Sequence, residues 1–391
     1  MGNLDRVVIV GASTAGLTTA EALRREGYTG ELTLIGDEKA LPYDRPPLSK
    51  QVLAGTWDPG KTLLRPETVY ADNNIELRLG TPASGLDLAG RTVALASGDQ
   101  VGYDGLVIAT GVTPRELPYG HELAGVHVLR TLDDTLALRN DLLRSSSVVV
   151  IGAGFLGSEA AASARRLGLD VTLVDPLPLP LIRQFGDRVA TAIAELHEEQ
   201  GVRLRTGTGV AALHGEIAVS GVELTDGTLL PAEVVLVAIG AVPATGWLEG
   251  SGVPVDDGVV CDATCQAVDR VYAAGDVARW FNPYFGELMR VEHRMNATEQ
   301  GMAVARNLLG AQAPFAPVPY FWTDQFDTKI QAYGVFPAGA EMVVVHGGLV
   351  ERKFVAHYLV DGRVVGVLGW NMPRQLRQDR LLITASGPSI G

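Results

Sequence analysis

Two glycine-rich loops in this chain have the spacing that binds the pyrophosphate of a dinucleotide. The first contains Gly11, Ser13, Thr14, Ala15 and Gly16, and the second contains Gly152, Gly154, Phe155, Leu156 and Gly157. Each loop follows a β-branched apolar run and precedes an alanine-rich stretch, which predicts a strand, a turn and a helix. The glycines permit the turn and a close approach of backbone to phosphate, and the helix N-terminus supplies free N–H groups. Two such loops predict two dinucleotides, and the usual reason to hold two is electron transfer from a nicotinamide to a flavin.

An acidic residue follows each loop at the distance that ribose recognition requires. Asp37 and Asp175 stand about 20 residues beyond the loops, at the ends of the returning strands. A carboxylate there accepts a hydrogen bond from the adenosine ribose 2′-hydroxyl and repels a 2′-phosphate. Residues 176–182 are apolar and proline-rich and contain no arginine, so the sequence favours NADH over NADPH. The alternative is that Asp175 caps a turn before Pro176.

Three further positions have the chemistry of a flavin site. Lys50 ends a proline-rich loop over 42–50 and opens a predicted helix, where its charge could stabilise a reduced flavin. Asp276 follows a buried strand and a glycine, so its carboxylate could bond a ribityl hydroxyl. Trp322 offers an indole that could lie near the flavin ring. Lys50 and Trp322 also have ordinary alternatives, an exposed loop lysine and a buried core tryptophan.

The elements that would position these residues repeat along the chain. Residues 6–37 and 146–175 each predict strand, glycine turn, helix and strand, at an offset of about 140 residues, and the first helix is predicted over 16–26. We therefore predict an α/β fold with two Rossmann-like dinucleotide-binding domains, one inserted in the other, and a small C-terminal α+β domain. The predicted limits are 1–110 and 241–312 for the FAD-binding domain, 111–240 for the NAD-binding domain and 313–391 for the C-terminal domain.

The composition narrows the class of protein. The net charge of −13 argues against a nucleic-acid partner, and no apolar run reaches the roughly 18 residues that a membrane span needs. Cys261 and Cys265 are too few for a disulfide framework and are not spaced as a redox CxxC pair. The chain opens directly on a strand, so no secretory leader is expected and the predicted location is cytoplasmic. No metal site is predicted.

Together these motifs resemble the FAD-dependent ferredoxin reductases that serve bacterial oxygenases, a group that includes the reductases of putidaredoxin, rhodocoxin, rubredoxin and biphenyl dioxygenase. The resemblance implies a glutathione-reductase-type fold and covers nearly the whole chain. The segments that carry it are PPLSK at 46–50, ATG at 109–111, LRTLDD at 129–134, GAGFLGSE at 152–159, AAGDVA at 273–278, VEH at 291–293 and FWTDQ at 321–325.

The resemblance also implies residue roles. Lys50 would lie beside the isoalloxazine ring, Trp322 would flank the ring where electrons leave, and these two are the predicted catalytic residues. The implied FAD-binding set is Gly11, Ser13, Thr14, Ala15, Gly16, Asp37, Arg45, Lys50, Ala83, Thr110, Gly111, Arg130, Asp276, Arg294 and Trp322. The implied NADH-binding set is Gly152, Gly154, Phe155, Leu156, Gly157, Glu159, Asp175 and Gly240.

The chain departs from the family pattern at three places. Arg294 stands where the family commonly has a tryptophan, which predicts a more positive edge of the flavin ring. The usual basic residue just past Asp175 is missing, which predicts weaker NADH affinity. Ser13 replaces the middle glycine of the first loop, where its small side chain and hydroxyl are compatible with a phosphate.

The predicted function is transfer of electrons from NADH through FAD to a small [2Fe–2S] or related ferredoxin that serves an oxygenase. No cysteine pair follows the first helix and no cysteine lies in 42–50, which argues against disulfide-, peroxide- and oxygen-reducing relatives. The alternatives are an NADH reductase for rubredoxin or a quinone, an NADH-responsive flavoprotein resembling apoptosis-inducing factor, and a nucleotide-binding module without redox activity. A monomer or weak dimer is expected.

A docking surface for an acidic ferredoxin is predicted from arginines near the C-terminus. Arg374, Arg377 and Arg380 have roughly helical spacing, and with Arg290 and Arg294 they could form a positive rim. The alternative is a solvated helix face.

Overall fold

The computed structural model describes residues 4–385. The first nucleotide-binding unit is built on a six-stranded sheet, in which the strand before the first glycine loop lies between two parallel neighbours. In order across the sheet, the strands are Gln266–Val268, Val271–Ala273, Gly105–Ile108, Arg6–Val10, Glu31–Ile35 and Glu76–Arg78. The pair at the first edge is antiparallel and the others are parallel. Because parallel strands are covered on both faces, their sequences are continuous apolar runs, as in the fully buried segment Val7–Val10.

The second unit repeats this arrangement on a five-stranded parallel sheet. Its strands, in order, are Val202–Thr206, Asp170–Asp175, Ser147–Ile151, Val234–Val237 and Val126–His127. The strand before the second glycine loop again has parallel neighbours on both sides. Both loops therefore leave the carboxyl end of an internal strand, which is where open α/β sheets bind ligands.

The C-terminal unit is a five-stranded antiparallel sheet covered by short helices. Its strands, in order, are Tyr320–Gln325, Thr328–Gly334, Arg363–Trp370, Lys353–Val360 and Glu341–Gly348. One face packs into a core that also contains Phe185, Ile193 and Leu196 of the second unit. This shared core fixes the C-terminal sheet against the second nucleotide-binding unit.

Helices cover the sheets, and small antiparallel sheets fill the connections. The α-helices are Thr14–Arg25, Thr68–Asp72, Leu132–Leu142, Phe155–Arg166, Ile182–Phe185, Asp187–Glu199, Arg294–Leu308, Pro373–Asp379 and Leu381–Ala385, with single turns at Leu48–Val52, Pro59–Thr62 and Gly246–Leu248. The remaining strands are Ala83–Asp87, Thr92–Leu95, Gln100–Gly102, Val112–Pro114, Val210–Gly215, Val219–Leu224, Leu229–Pro231, Ala241–Pro243, Val259–Cys261, Ala278–Asn282 and Glu287–Arg290. None of the helices within residues 4–385 has the length and apolar character needed to span a lipid bilayer.

Steric contacts explain the glycines of both loops. A Cβ on Gly11 would lie 2.0 Å from the carbonyl oxygen of Ala109, and one on Gly16 would lie 1.9 Å from that of Gly11. Gly152 and Gly157 face the same conflicts, at 2.3 Å from Ala238 O and 1.8 Å from Gly152 O. Gly11 and Gly152 also have φ of +120° and +103°, which favours glycine. The two loops therefore require glycine at equivalent positions for the same steric reasons.

The predicted fold class is confirmed by this architecture. The first helix begins at Thr14, before Gly16, because Ser13 is already the extended N-cap residue. Lys50 lies inside a π-helical turn, Leu48–Val52, and does not open a helix. Residues 1–3 and 386–391 of the predicted domain limits lie outside the described residues, and the limits themselves stay a prediction.

Candidate active site

A deep cleft lies where the two nucleotide-binding units and the C-terminal sheet meet. It contains about 1110 Å³ of empty space, part of it open to solvent. The predicted site residues that line it are Ser13, Thr14, Ala15, Arg45, Lys50, Gly111, Arg130, Phe155, Leu156, Glu159, Asp276, Arg294 and Trp322. The fold thus brings residues assigned to FAD and residues assigned to NADH to one cavity.

A smaller cavity continues from this cleft along the first glycine loop. Asp37 lines it together with Gly11 and Thr110. The residues that line both cavities are Ser13, Arg45, Ala109, Gly111 and Arg130. Because they share these walls, the two cavities form one channel that leads from Asp37 to Trp322. Such a channel suits an extended dinucleotide, because a carboxylate for the ribose lies at one end.

Two partly buried arginines, Arg45 and Arg130, line both cavities of the channel. Arg45 donates to Glu38 Oε1 at 2.6 Å and to the carbonyl oxygen of Arg130 at 2.7 Å. The Arg130 guanidinium donates to Asp276 Oδ2 at 3.2 Å, and burial lowers its pKa. The Tyr43 hydroxyl donates a hydrogen bond to the Glu38 carboxylate that also accepts from Arg45. Burial raises the pKa of the Tyr43 phenol. Each guanidinium is paired with a carboxylate, so the arrangement places N–H donors beside the first glycine loop without adding net positive charge.

Lys50 and Glu159 form a nearly buried ion pair at the cleft. The Lys50 ammonium donates to Glu159 Oε2 at 2.6 Å, and the two side chains are 12 % and 7 % exposed. The Ser49 hydroxyl donates to the same oxygen at 2.6 Å. The residue predicted beside the flavin therefore contacts the residue predicted beside NADH, and each charge compensates the other.

The helix Arg294–Leu308 directs its N-terminus at the cleft, where His293, Arg294 and Ala297 line the wall. The expected positive edge is offset, because the Arg294 guanidinium contacts the Asp44 carboxylate as well as the Thr298 hydroxyl. Burial lowers the pKa of His293 to about 4, so its imidazole is neutral at pH 7. The positive field at this wall comes from the helix N-terminus.

Aromatic rings line the cleft and lead away from it. Phe155, in the second glycine loop, packs edge-on against Phe321 with ring centroids 5.3 Å apart. Trp322 stacks with Tyr320 at 6.0 Å, and Tyr320 contacts Tyr333 at 4.5 Å. Tyr320 and Tyr333 line a second groove, which Lys329, Arg377 and Arg380 also line. A ladder of rings thus connects the cleft to a basic groove on the surface.

The predicted docking arginines divide into two groups. Arg290 is paired with Asp257 at 3.3 Å and Glu292 at 2.5 Å, and Arg294 is paired with Asp44, so these two do not add net positive charge. Arg374 and Arg377 are exposed on the helix Pro373–Asp379. Arg380 follows that helix and lies over the Tyr333 ring at 5.5 Å.

Some predicted residues lie outside the two cavities. Asp175 accepts hydrogen bonds from the backbone N–H of Ala153 at 2.7 Å and of Leu177 at 2.8 Å, so its carboxylate is held at the second glycine loop. The others are Gly16, Ala83, Gly152, Gly154, Gly157 and Gly240. The second loop therefore has the same strand–turn–helix geometry as the first, but Asp175 does not line the cleft.

The structure also brings in residues that sequence reasoning missed. These are Glu38, Tyr43, Ser49, His293 and Phe321 at the channel, Asp44 as the partner of Arg294, and Thr323, Gln325 and His197 behind the channel. Ser49, His293, Phe321, Thr323 and Gln325 all fall inside quoted motifs, so their position was the available signal. His197 carries no such signal, because it lies in none of the motifs that the sequence analysis identified.

Buried polar atoms without partners test, independently of the motifs, whether the channel fits a flavin dinucleotide. Arg45 Nε and His293 Nδ1 are buried polar atoms that have no hydrogen-bond partner among residues 4–385, and both residues line the cleft. Buried polar groups are rarely left unpaired, so a ligand with polar edges is expected there. Cys261 and Cys265 are buried away from the cleft lining, and burial raises the pKa of both thiols. No cysteine is therefore among the described residues that line the cleft.

Burial of His293 predicts a loss of stability in acid. Its folded pKa of about 4 lies below the ordinary value of 6.5, so the neutral form is favoured on folding. This contribution is present above pH 6.5 and is lost as the pH falls towards 4, by about 2 kcal/mol at pH 5. Denaturant unfolding of His293→Gln should therefore show a smaller drop between pH 7.5 and pH 5 than the wild type. His121→Gln, at an exposed histidine, is the control, and an equal drop in His293→Gln would contradict the assignment.

Comparison with known proteins finds family matches over most of the chain. Residues 5–301 match the pyridine nucleotide-disulphide oxidoreductase family and residues 320–389 match the Reductase C-terminal family. The chain is 36 % identical to a rhodocoxin reductase of Rhodococcus erythropolis, over 98 % of this chain and 90 % of that protein. It is 38 % identical to a ferredoxin–NAD(P)(+) reductase of a Sphingomonas species, over 97 % of this chain and 92 % of that protein.

A solved structure gives the same result at the level of the fold. The reductase in a covalent putidaredoxin reductase–putidaredoxin complex superposes with a TM-score of 0.93 at 35 % identity. The match covers 98 % of this chain and 94 % of that one. With two nucleotide loops, a shared cleft and a C-terminal sheet that closes it, the chain belongs to the ferredoxin reductase branch of the pyridine nucleotide-disulphide oxidoreductases.

Proposed function

We propose that this protein transfers electrons from NADH through bound FAD to a small [2Fe–2S] ferredoxin of a cytoplasmic oxygenase system. The observation that carries the proposal is the single cleft, which the first glycine loop, the start of the second-loop helix and Trp322 all line. The relatives named as reductases of rhodocoxin, putidaredoxin and ferredoxin support the class of acceptor.

FAD, when bound, would supply the step from a two-electron hydride to single electrons. In this proposal the loop from Gly11 to Gly16 holds the pyrophosphate, with Arg45 and Arg130 beside it. Asp37 holds the adenosine ribose and Asp276 the ribityl chain. Lys50 and Glu159 orient the two rings at the cleft, and the surrounding apolar wall excludes water. The chain's contribution is orientation and fixed charge, which are the main levers of such a site.

The second loop would hold NADH, with the nicotinamide reaching the cleft past Phe155. We propose NADH as the preferred donor because the Asp175 carboxylate, which the backbone holds at the second loop, would repel a 2′-phosphate. Anaerobic titration of the purified flavoprotein with NADH and with NADPH tests this step. Bleaching of the flavin at a lower concentration of NADH supports the proposal, and an equal or better response to NADPH contradicts it.

The groove around Tyr320 and Tyr333 is the proposed docking surface for the ferredoxin. It lies at the end of the aromatic ladder from Trp322, and the guanidinium groups of Arg377 and Arg380 line it. Lys329 is paired with Asp324 at 3.4 Å, and Glu299 also lines the groove, so the two arginines are the source of its positive charge. An acidic ferredoxin would be steered there despite the net charge of −13 on the whole chain.

Charge reversal on the helix Pro373–Asp379, which borders this groove, should weaken ferredoxin docking and leave the reduction of the flavin unchanged. The double variant Arg374→Glu/Arg377→Glu should raise the KM for ferredoxin about tenfold, because two attractive charges become repulsive, and should spare ferricyanide reduction. Arg144→Glu, at an exposed arginine of the second unit, is the matched control. Equal losses with ferredoxin and ferricyanide would contradict the docking surface.

A further inference from the structure

A chain of buried hydrogen bonds leads from the cleft to the helix Asp187–Glu199. Thr323 Oγ1 lies 2.8 Å from Glu159 Oε1, Gln325 Nε2 lies 3.2 Å from Thr323 Oγ1, and His197 Nε2 lies 2.8 Å from Gln325 Oε1. Glu159 is 6 % exposed, Thr323 and Gln325 are 1 % exposed, and His197 is 0 % exposed. Their hydrogen-bonding groups are therefore satisfied by one another and not by bulk water.

The carboxylate at one end fixes the direction of every bond in this chain. Glu159 is paired with the Lys50 ammonium, so it is ionised and can only accept. The hydroxyl proton of Thr323 must then point to Glu159, which leaves its oxygen to accept from the Gln325 amide. The Gln325 carbonyl is left facing His197, and it too can only accept, so His197 must carry its proton on Nε2.

The far end of the chain is a neutral histidine. Burial lowers the pKa of His197 to about 4, although the bond to Gln325 acts in the opposite direction. Its Nδ1 is buried without a hydrogen-bond partner among the described residues, and its ring packs edge-on against Phe326 at 5.2 Å. His197 thus acts as a fixed donor at the start of a chain whose donors all point towards Glu159.

We propose that Thr323, Gln325 and His197 are positioning residues for the reductive step, acting through Glu159 on Lys50. Glu159 Oε2 is occupied by Lys50 and Ser49, so Thr323 is the donor that holds the other oxygen and sets the rotation of the carboxylate. Hydrogen bonds in one direction polarise one another and strengthen the last, which is the one to the charged group. The proposal rests on the proposed function, because it assigns the cleft to hydride transfer.

This chain of hydrogen bonds also joins the three structural units of the protein at one point. Lys50 comes from the proline-rich loop of the first unit, Glu159 and His197 from two helices of the second, and Thr323 and Gln325 from the first strand of the C-terminal sheet. The strand that presents Trp322 to the cleft is thereby held in register with the ion pair. A shift of this strand would displace Trp322 and would also disturb the Lys50–Glu159 ion pair.

The first test measures the protonation and the tautomer of His197 directly and does not depend on enzymatic turnover. Long-range ¹H–¹⁵N correlation spectra of ¹⁵N-histidine-labelled holoprotein, with His197→Gln for assignment, should show His197 neutral and protonated on Nε2 at pH 7 and at pH 5.5. A signal for the Nδ1-protonated tautomer, or for an imidazolium at pH 5.5, would overturn the proposed direction of the chain.

The second test uses the reduction of the flavin by NADH in stopped flow. Thr323→Val should lower the limiting rate about tenfold with little change in the NADH dissociation constant, and Thr323→Ser should restore it. In a Glu159→Gln background, Thr323→Val should add nothing, because the carboxylate it serves is gone. Thr328→Val, a buried threonine of the neighbouring strand that is outside the chain, is the matched control.

A wild-type limiting rate in Thr323→Val, or equal losses in Thr323→Val and Thr328→Val, would overturn the positioning role. Either result leaves the choice of acceptor untouched, because no ferredoxin is present in this experiment. Failure of the proposed function would instead appear as normal reduction of the flavin with no response to ferredoxin.

Discussion

Replacing Lys50 by methionine lowers the rate of flavin reduction by NADH about 100-fold and leaves FAD bound. Lys50 and Glu159 lie at the part of the cleft that residues of both predicted cofactor sites line. A preorganised charge at such a site stabilises the transition state by several kcal/mol, because little water remains to screen it. FAD stays bound because the glycine loop, Arg45 and Arg130 are unchanged.

The same variant separates catalysis from stability. Removing the ammonium leaves the Glu159 carboxylate buried without its counter-ion, which should cost about 3 kcal/mol of folding free energy. Lys50→Met/Glu159→Gln should recover most of the melting temperature, since no buried charge remains, but none of the reduction rate. Differential scanning calorimetry and stopped-flow absorbance measure the two effects. Lys61→Met, at an exposed lysine, is the control, and recovery of both properties in the double variant would contradict a direct role for Lys50.

Valine at Gly11 abolishes FAD binding, whereas valine at Gly152 abolishes NADH binding and leaves the protein yellow. The added Cβ would lie 2.0 Å from Ala109 O in one loop and 2.3 Å from Ala238 O in the other, so backbone must move in both. Each movement displaces the N–H groups of its own helix terminus. We expect affinity for the corresponding dinucleotide to fall more than about 100-fold, because in the proposed function that loop would supply the main pyrophosphate contacts.

The flavin content after purification and the quenching of flavin absorbance by NADH measure the two outcomes. Gly227→Ala is the matched control, because its φ is +82° but its Cβ would meet nothing within 4 Å. It should cost about 1 kcal/mol of strain and bind both nucleotides normally. Loss of FAD from Gly152→Val in a folded protein would contradict the assignment of one dinucleotide to each loop.

The parts of this site that the sequence predicts are set by local sterics. Gly11 and Gly152 must be glycine where a strand turns into a helix, so the two loops and the fold class could be read from residue spacing. Lys50 could be placed near the cleft because consecutive prolines restrict its loop. Even here the detail was wrong, since Pro47 initiates a turn at Leu48 and leaves Lys50 inside it.

The polar contacts between units could not be predicted in this way. Lys50 meets Glu159, which is 109 residues away in the chain, and Arg294 meets Asp44, which is 250 residues away. Such pairs depend on how the units pack, and residue spacing carries no record of that packing. For this reason Arg294 was expected to make the flavin edge more positive, whereas Asp44 neutralises it.

The central claim is that electrons leave the flavin for an iron–sulfur protein. The most direct test is NADH-driven reduction of cytochrome c by the purified flavoprotein, with and without a [2Fe–2S] ferredoxin. The proposed function predicts a slow rate without ferredoxin and a rise of more than about tenfold when it is added. Flavin that NADH bleaches at a normal rate, with no effect of any [2Fe–2S] ferredoxin on cytochrome c reduction, would contradict it.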